Sequence, residues 1–226
     1  MTGTLQKRHG AFLPHWTIKN GIYAICFRLA DSIPQMQLRL WQQERRDILD
    51  AAQTGKRDLT PQERLHLVQL NSMSIERYLR CGYGDCWLQR ETIATIVIDA
   101  LKYFEGERYR LFAWCVMPNH VHVVAQPFPG QTLSAILQSW KGFTAREANK
   151  TLRRTGMFWQ REYFDRWIRT ADELQHHIAY TWENPALAGH AAWRWRWKME
   201  EESVRTFIRS HPDSPWSGLE ARETAR

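Results

Sequence analysis

A chain of 226 residues, 43% of them hydrophobic, is long enough to bury a real core, which excludes disorder over most of its length. Its formal charge of +7 is unevenly placed: residues 1–30 carry Lys7, Arg8, Lys19 and Arg28 without an acid, and residues 141–169 carry eight basic against three acidic side chains. Such local excess fits a polyanionic partner. No apolar run approaches the ~18 residues of a membrane span and the start has no signal-peptide core, so the expectation is a cytoplasmic protein without a membrane partner.

In chain order, Gly21–Leu29 is β-branched and aromatic and reads as a strand ended by Asp31, Ser32 and Pro34. Residues 35–54 show helical spacing at Leu38, Trp41, Ile48 and Leu49. Thr60-Pro61-Gln62-Glu63 reads as a capping box opening a helix to about Arg80, before Gly82 and Gly84. These helices form an insertion over about 31–90. Cys81 and Cys86 flank a loop, a weak signal for zinc, while Cys26 and Cys115 fall in strands as small hydrophobes.

Glu91–Phe104 places Ile93, Ile96, Val97, Ala100, Leu101 and Phe104 on one helical stripe. Tyr109–Val116 and His120–Ala125 then read as antiparallel strands joined by Met117-Pro118-Asn119. Thr132 caps a helix over about Leu133–Leu152, with a basic surface from Lys141, Arg146, Lys150, Arg153 and Arg154. Residues 158–169 mix aromatics and arginines in an extended or looping segment. The box Thr170-Ala171-Asp172-Glu173 starts a helix through Trp182, which Asn184-Pro185 breaks or bends. Trp193, Trp195 and Trp197 alternate with Arg194, Arg196 and Lys198, one aromatic and one cationic face. The order of elements predicts an α+β fold, a ferredoxin-like antiparallel sheet with packed helices, in one domain over 1–200 with a partly disordered tail over 201–226.

Two features carry chemistry. On a strand, His120 and His122 point to the same face while Val121 and Val123 point into a core, a spacing that suits a divalent cation; two half-buried strand histidines are the plain alternative. On the last helix His176, His177, Tyr180 and Asn184 line one side, which a solvated face would also explain. Together the two features would divide the labour: two imidazoles and an amide oxygen would hold Mg²⁺ or Mn²⁺, and a phenol would attack a phosphodiester whose charge the cation neutralises. The expected product is a covalent phosphotyrosine, suited to strand transfer.

Val116–Val124, Phe158–Arg166 and His176–Gly189 resemble the motifs of the REP-associated tyrosine transposases, relatives of the IS200/IS605 single-strand transposases in the HUH nuclease superfamily, and the similarity runs from about Leu13 to Trp197. The resemblance implies the IS200-like HUH fold, Tyr180 as nucleophile, and a metal site of His120, His122 and Asn184. It also implies single-stranded DNA beside REP-like palindromic hairpins as substrate, cleaved to a 5′-phosphotyrosine and a free 3′-OH by a nucleoid-associated monomer, a dimer remaining open. His176 and His177 are alternatives for ligand or proton shuttle, and Tyr163 is the competing nucleophile. Lys141, Arg146, Lys150, Arg161, Arg166 and Arg169 are the expected DNA contacts, with bases stacking on the aromatics of 158–169 and 193–198. A relaxase or replication-initiator nuclease, or a hairpin-binding protein without turnover, are the rival readings.

Overall fold

The computed structural model describes residues 6–9, 14–18, 20–71 and 73–211; the segment from 212 on, part of the expected tail, lies outside the described residues. A five-stranded antiparallel sheet runs through the molecule in the order β6 (Phe164–Ile168), β3 (Ile22–Arg28), β5 (His120–Pro127), β4 (Tyr109–Val116), β7 (Arg196–Lys198). A separate antiparallel pair, β1 (Gln6–His9) with β2 (Pro14–Thr17), precedes it. With helices α4 (Glu91–Tyr103) and α5 (Leu133–Thr151) between them, β3, β4, β5 and β6 follow the strand-helix-strand-strand-helix-strand path. Their spatial order, fourth-first-third-second, is the ferredoxin-like arrangement, with β7 added outside β4.

The period of two along each strand separates two faces. Ile25, Phe27, Trp114, Val116, Val121 and Val123 meet Ile93, Val97 and Leu101 of α4 and Ile136, Leu137 and Trp140 of α5 in the larger core. Polar atoms inside it are matched: Trp140 Nε1 donates to Tyr109 Oη at 2.9 Å, which donates to the Leu101 carbonyl at 2.9 Å. Thr132 caps α5 by accepting from Ala135 N. Trp140→Ala is expected to cost about 3–5 kcal/mol through the cavity and the stranded hydroxyl, read as a shift of the urea midpoint.

A ferredoxin-like sheet with α4 and α5 on one face leaves the other to be covered, and here α6 (Ala171–Leu187) and α7 (Glu201–Ser210) cover it with Leu174, Ile178, Val204 and Phe207. A bulge in β4, where the register passes from Leu111 to Ala113, turns Phe112 to this face, edge-on to Phe207 at 4.9 Å between ring centroids. α7, whose buried Val204 and Phe207 form its inner stripe, was not among the expected elements and occupies part of the expected tail.

The insertion forms three helices rather than the expected two, α1 (Gln35–Thr54), α2 (Pro61–Asn71) and α3 (Met73–Arg80). Its reciprocal capping box is present, Thr60 N to Glu63 Oε2 at 2.8 Å and Glu63 N to Thr60 Oγ1 at 3.2 Å. The break expected at Asn184-Pro185 is also absent: α6 runs through Pro185 to Leu187. Pro185 falls in the last turn, so the N–H it lacks removes a single bond near the helix end, and its carbonyl accepts from Ala188 N and His190 N. Of the alternating stretch only Arg196–Lys198 is a strand, and its cations lie over Trp182 of α6, at 4.2 Å for Arg196 and 5.4 Å for Lys198.

Candidate active site

His120 and His122 stand on the central strand, on the face covered by α6, because the valines between and after them fill the opposite core. Both are buried, 1% and 6% exposed, and their Nε2 atoms converge to 3.0 Å. His120 Nδ1 meets Asn119 Oδ1 at 2.8 Å, and Asn119 Nδ2 donates to the Tyr83 carbonyl at 3.0 Å, which orients the amide with its oxygen toward the ring. Nδ1 therefore carries the proton, and Nε2 is left with its lone pair facing His122. Two ring nitrogens that close share either a proton or a cation.

Electrostatics favour the neutral, metal-ready form. Burial, then His122 and Arg80, holds His120 well below the usual 6.5; burial, then Arg80 and His177, draws His122 down to about 4. His177, half-buried on α6, is lowered to about 4 by burial, Arg166 and His176. The folded chain keeps these rings neutral while the unfolded chain protonates its histidines below about 6.5. Stability present above pH 6.5 is thus lost as pH falls toward 4. Urea midpoints of the chelator-treated protein should drop steeply over that window, and less so in a His120→Asn/His122→Asn variant.

Tyr180 faces this pair from α6, its ring edge-on to His122 with centroids 5.8 Å apart. Its hydroxyl donates to Glu76 Oε2 at 2.6 Å and accepts from the Arg80 guanidinium at 3.0 Å. Burial first, then the Glu76 carboxylate, raises the phenol above its usual value of 10, against the pull of Arg80. Glu76 and Arg80 both sit on α3 of the insertion, 3.7 Å apart. The sequence reading missed them. Their spacing of four is that of countless exposed helical ion pairs, and only the return of the insertion over the sheet gives it meaning.

Asn184, one turn beyond Tyr180, is 1% exposed, and its Oδ1 is buried with no hydrogen-bond partner. Among the described residues no three His, Cys, Asp or Glu side chains cluster as metal ligands. The donor set available is therefore two neutral imidazoles and an orphaned amide oxygen. It fits a divalent cation: bonds of ~2.1 Å at right angles place two ring nitrogens ~3.0 Å apart. Of the alternatives, His177 lies close enough to bear on His122, while His176 is exposed, stacked beside Tyr180 with centroids 6.5 Å apart.

Tyr163 instead lies before β6, packed against the larger core with Lys141 Nζ 5.9 Å from its ring centroid. Lys141 donates to the Gln160 and Arg161 carbonyls at 2.8 Å each, and burial lowers it to about 8. Arg146, Lys150, Arg161, Arg166 and Arg169 are exposed; Arg146 meets Glu147 at 3.2 Å and Arg166 meets Glu173 at 3.3 Å. Phe158 and Trp159, expected among the base-stacking aromatics, are 2% and 4% exposed inside the larger core, so their faces are taken. Cys26 and Cys115 behave as strand hydrophobes, burial pushing both thiols up to about 12.

The fold and the site define a mixed α/β domain that sets a strand-borne imidazole pair against a helix-borne tyrosine. The stretch of residues 85–180 matches the family described as Transposase IS200 like. It contains His120, His122 and Tyr180, and leaves out Asn184 and the insertion's Glu76 and Arg80. No curated protein matches the chain. One similar solved structure is a REP-associated tyrosine transposase bound to a REP hairpin, 13% identical over 83% of this chain and 76% of that one, with a TM-score of 0.43. Another, a candidate transposase from Deinococcus radiodurans R1, is 14% identical over 78% of this chain and 98% of that one, with a TM-score of 0.33. No helix among the described residues is long and apolar enough to cross a membrane.

Proposed function

We propose that the chain is a single-tyrosine DNA transesterase that cleaves and rejoins single strands beside palindromic hairpins of the REP type. The observation that carries this reading is the buried Nε2 pair of His120 and His122 with the Tyr180 ring edge-on beside it. His120, His122 and Asn184 would hold Mg²⁺ or Mn²⁺, which when bound supplies charge neutralisation to the scissile phosphate. Tyr180 Oη forms a bond to phosphorus, the bond from phosphorus to the 3′-oxygen breaks, and that oxygen leaves as a hydroxyl after taking a proton from water. The phenolic proton passes to Glu76, which already accepts it as a hydrogen bond, and Arg80 offsets the negative charge that develops. Because the phosphodiester is exchanged for a phosphotyrosine, the reverse attack by a 3′-OH rejoins the strand. DNA contacts are assigned to the exposed Arg146, Lys150, Arg161, Arg166 and Arg169, with the domain spanning 1–200 and acting as a monomer.

The test is incubation of the protein with labelled hairpin-bearing single strands and Mn²⁺, followed by denaturing electrophoresis. A covalent adduct is expected; hairpin binding with no adduct would instead mark a binding protein without turnover. Glu76→Gln keeps the shape of the side chain and removes its basicity, and should slow adduct formation about 10²-fold with hairpin affinity unchanged. Asn119→Ala frees His120 to rotate or change tautomer, and should weaken Mn²⁺ binding about 10–100-fold by calorimetry.

A further inference from the structure

Arg28 ends β3, and its side chain rises from the sheet face that carries His120, its cross-strand partner. It is only partly exposed. Its guanidinium donates to Ser32 Oγ at 3.2 Å, and among the described residues it makes no other hydrogen bond and no carboxylate lies within ion-pair reach of it. Ser32 is fully buried and gives its own proton to the Leu29 carbonyl at 2.8 Å, so an oxygen lone pair is what steers the arginine. Arg28 forms part of the wall of a cavity of about 110 Å³ between α1, α3, β3 and the start of β6, to which α1 adds Arg45. Glu162 lies in that wall as well, but it already has a partner, and its charge bears on Lys141. Lys141 lines a second groove, along α5, and groove and cavity meet at Gln160. The Gln160 N–H donates to the Arg28 carbonyl at 2.8 Å, and its own carbonyl accepts from Lys141 Nζ at 2.8 Å. Arg28 and Lys141 thus flank one residue, near enough for Arg28 to join burial in lowering the lysine.

Holding a guanidinium largely out of water without a counter-charge is unfavourable, and a second cation close by adds repulsion. An apolar occupant would leave both costs in place. A phosphodiester relieves both, because its two free oxygens match the arginine fork and its negative charge lies between the two cations. We infer that Arg28 binds a backbone phosphate of the incoming strand where the α5 groove meets the cavity. This rests on the chain being a single-strand DNA transferase. The contacts assigned above come from exposed side chains, whereas Arg28 is fixed by the strand that pairs with His120 and His122. The phosphate it grips therefore sets the strand's register against the imidazoles.

The probe is a fluorescein-labelled thymidine oligomer of about 20 nucleotides, titrated by anisotropy with chelator present at about 50 to 200 mM KCl, alongside the adduct assay. In Arg28→Met the plot of log affinity against log salt should be shallower than the parent's by about 0.7, the share of one phosphate on a single strand. Affinity at the low-salt end should fall about tenfold. Arg28→Gln, which keeps a donor for Ser32 Oγ and loses the charge, should show the same loss of slope, and Arg28→Lys should keep the parent's slope. Circular dichroism checks that each variant folds. A parental slope in both the Met and the Gln variant, with binding and the adduct intact, would overturn the Arg28 contact alone. No binding of the oligomer by the parent, together with no adduct on the hairpin strand, would overturn the transferase reading and the contact with it.

Discussion

Tyr180→Phe is expected to abolish the covalent adduct, a loss of about 10³-fold or more, while hairpin binding stays within about twofold of the parent. The substitution removes one oxygen and keeps the ring that stands edge-on to His122. Glu76 and Arg80 lose a shared partner but remain 3.7 Å apart, both more than a third exposed, so the change in stability should be under about 1 kcal/mol. An adduct of undiminished yield in this variant would reject Tyr180 as nucleophile and turn attention to Tyr163. The comparison with Tyr163→Phe is the matching control: its ring packs on the larger core and beside Lys141, so strand cleavage should survive.

The second large effect is expected from the imidazoles. In the parent, chelation should stop cleavage and Mn²⁺ should restore it. In His120→Ala/His122→Ala no added cation should restore it, a loss of about 10²–10⁴-fold or greater, with the strand still bound. Single replacements distinguish the two rings. His120 is held through Nδ1 by Asn119, whereas His122 answers to Arg80 and His177, so His122→Ala should be the variant in which His177 offers partial rescue at raised Mn²⁺. Cleavage unaffected by chelation or by the double replacement would remove the cation from the proposed reaction.

Much of the fold was legible because local rules and the tertiary outcome agree. Alternation in Tyr109–Val116 and His120–Pro127 matches the two covered faces, Val121 and Val123 fill the larger core, and the threonines at 60, 132 and 170 all cap helices. Where the reading departed, a long-range contact was the cause. Pro185 was expected to end a helix that its position in the final turn lets run on, and the amphipathic α7 went unseen until Phe112 and the second sheet face gave Phe207 a partner. Trp159 looks like a base-stacking residue in sequence, yet its ring lies in the core and its Nε1 donates to Thr144 Oγ1 at 2.9 Å.

By itself the chain's order of residues determined most of the elements about the central sheet, the strand that carries His120 and His122, and the shared helix face of Tyr180 and Asn184, since those depend on periods of two and of three to four that neighbours in sequence enforce. Only the tertiary structure decided that α3 returns over the sheet to set Glu76 and Arg80 on the Tyr180 hydroxyl, across about a hundred residues of chain. The same return walls the cavity beside Arg28. Such contacts join surfaces whose residue patterns, taken singly, are those of ordinary solvated helices; it is loop closure and the burial of the uncovered sheet face that bring them together.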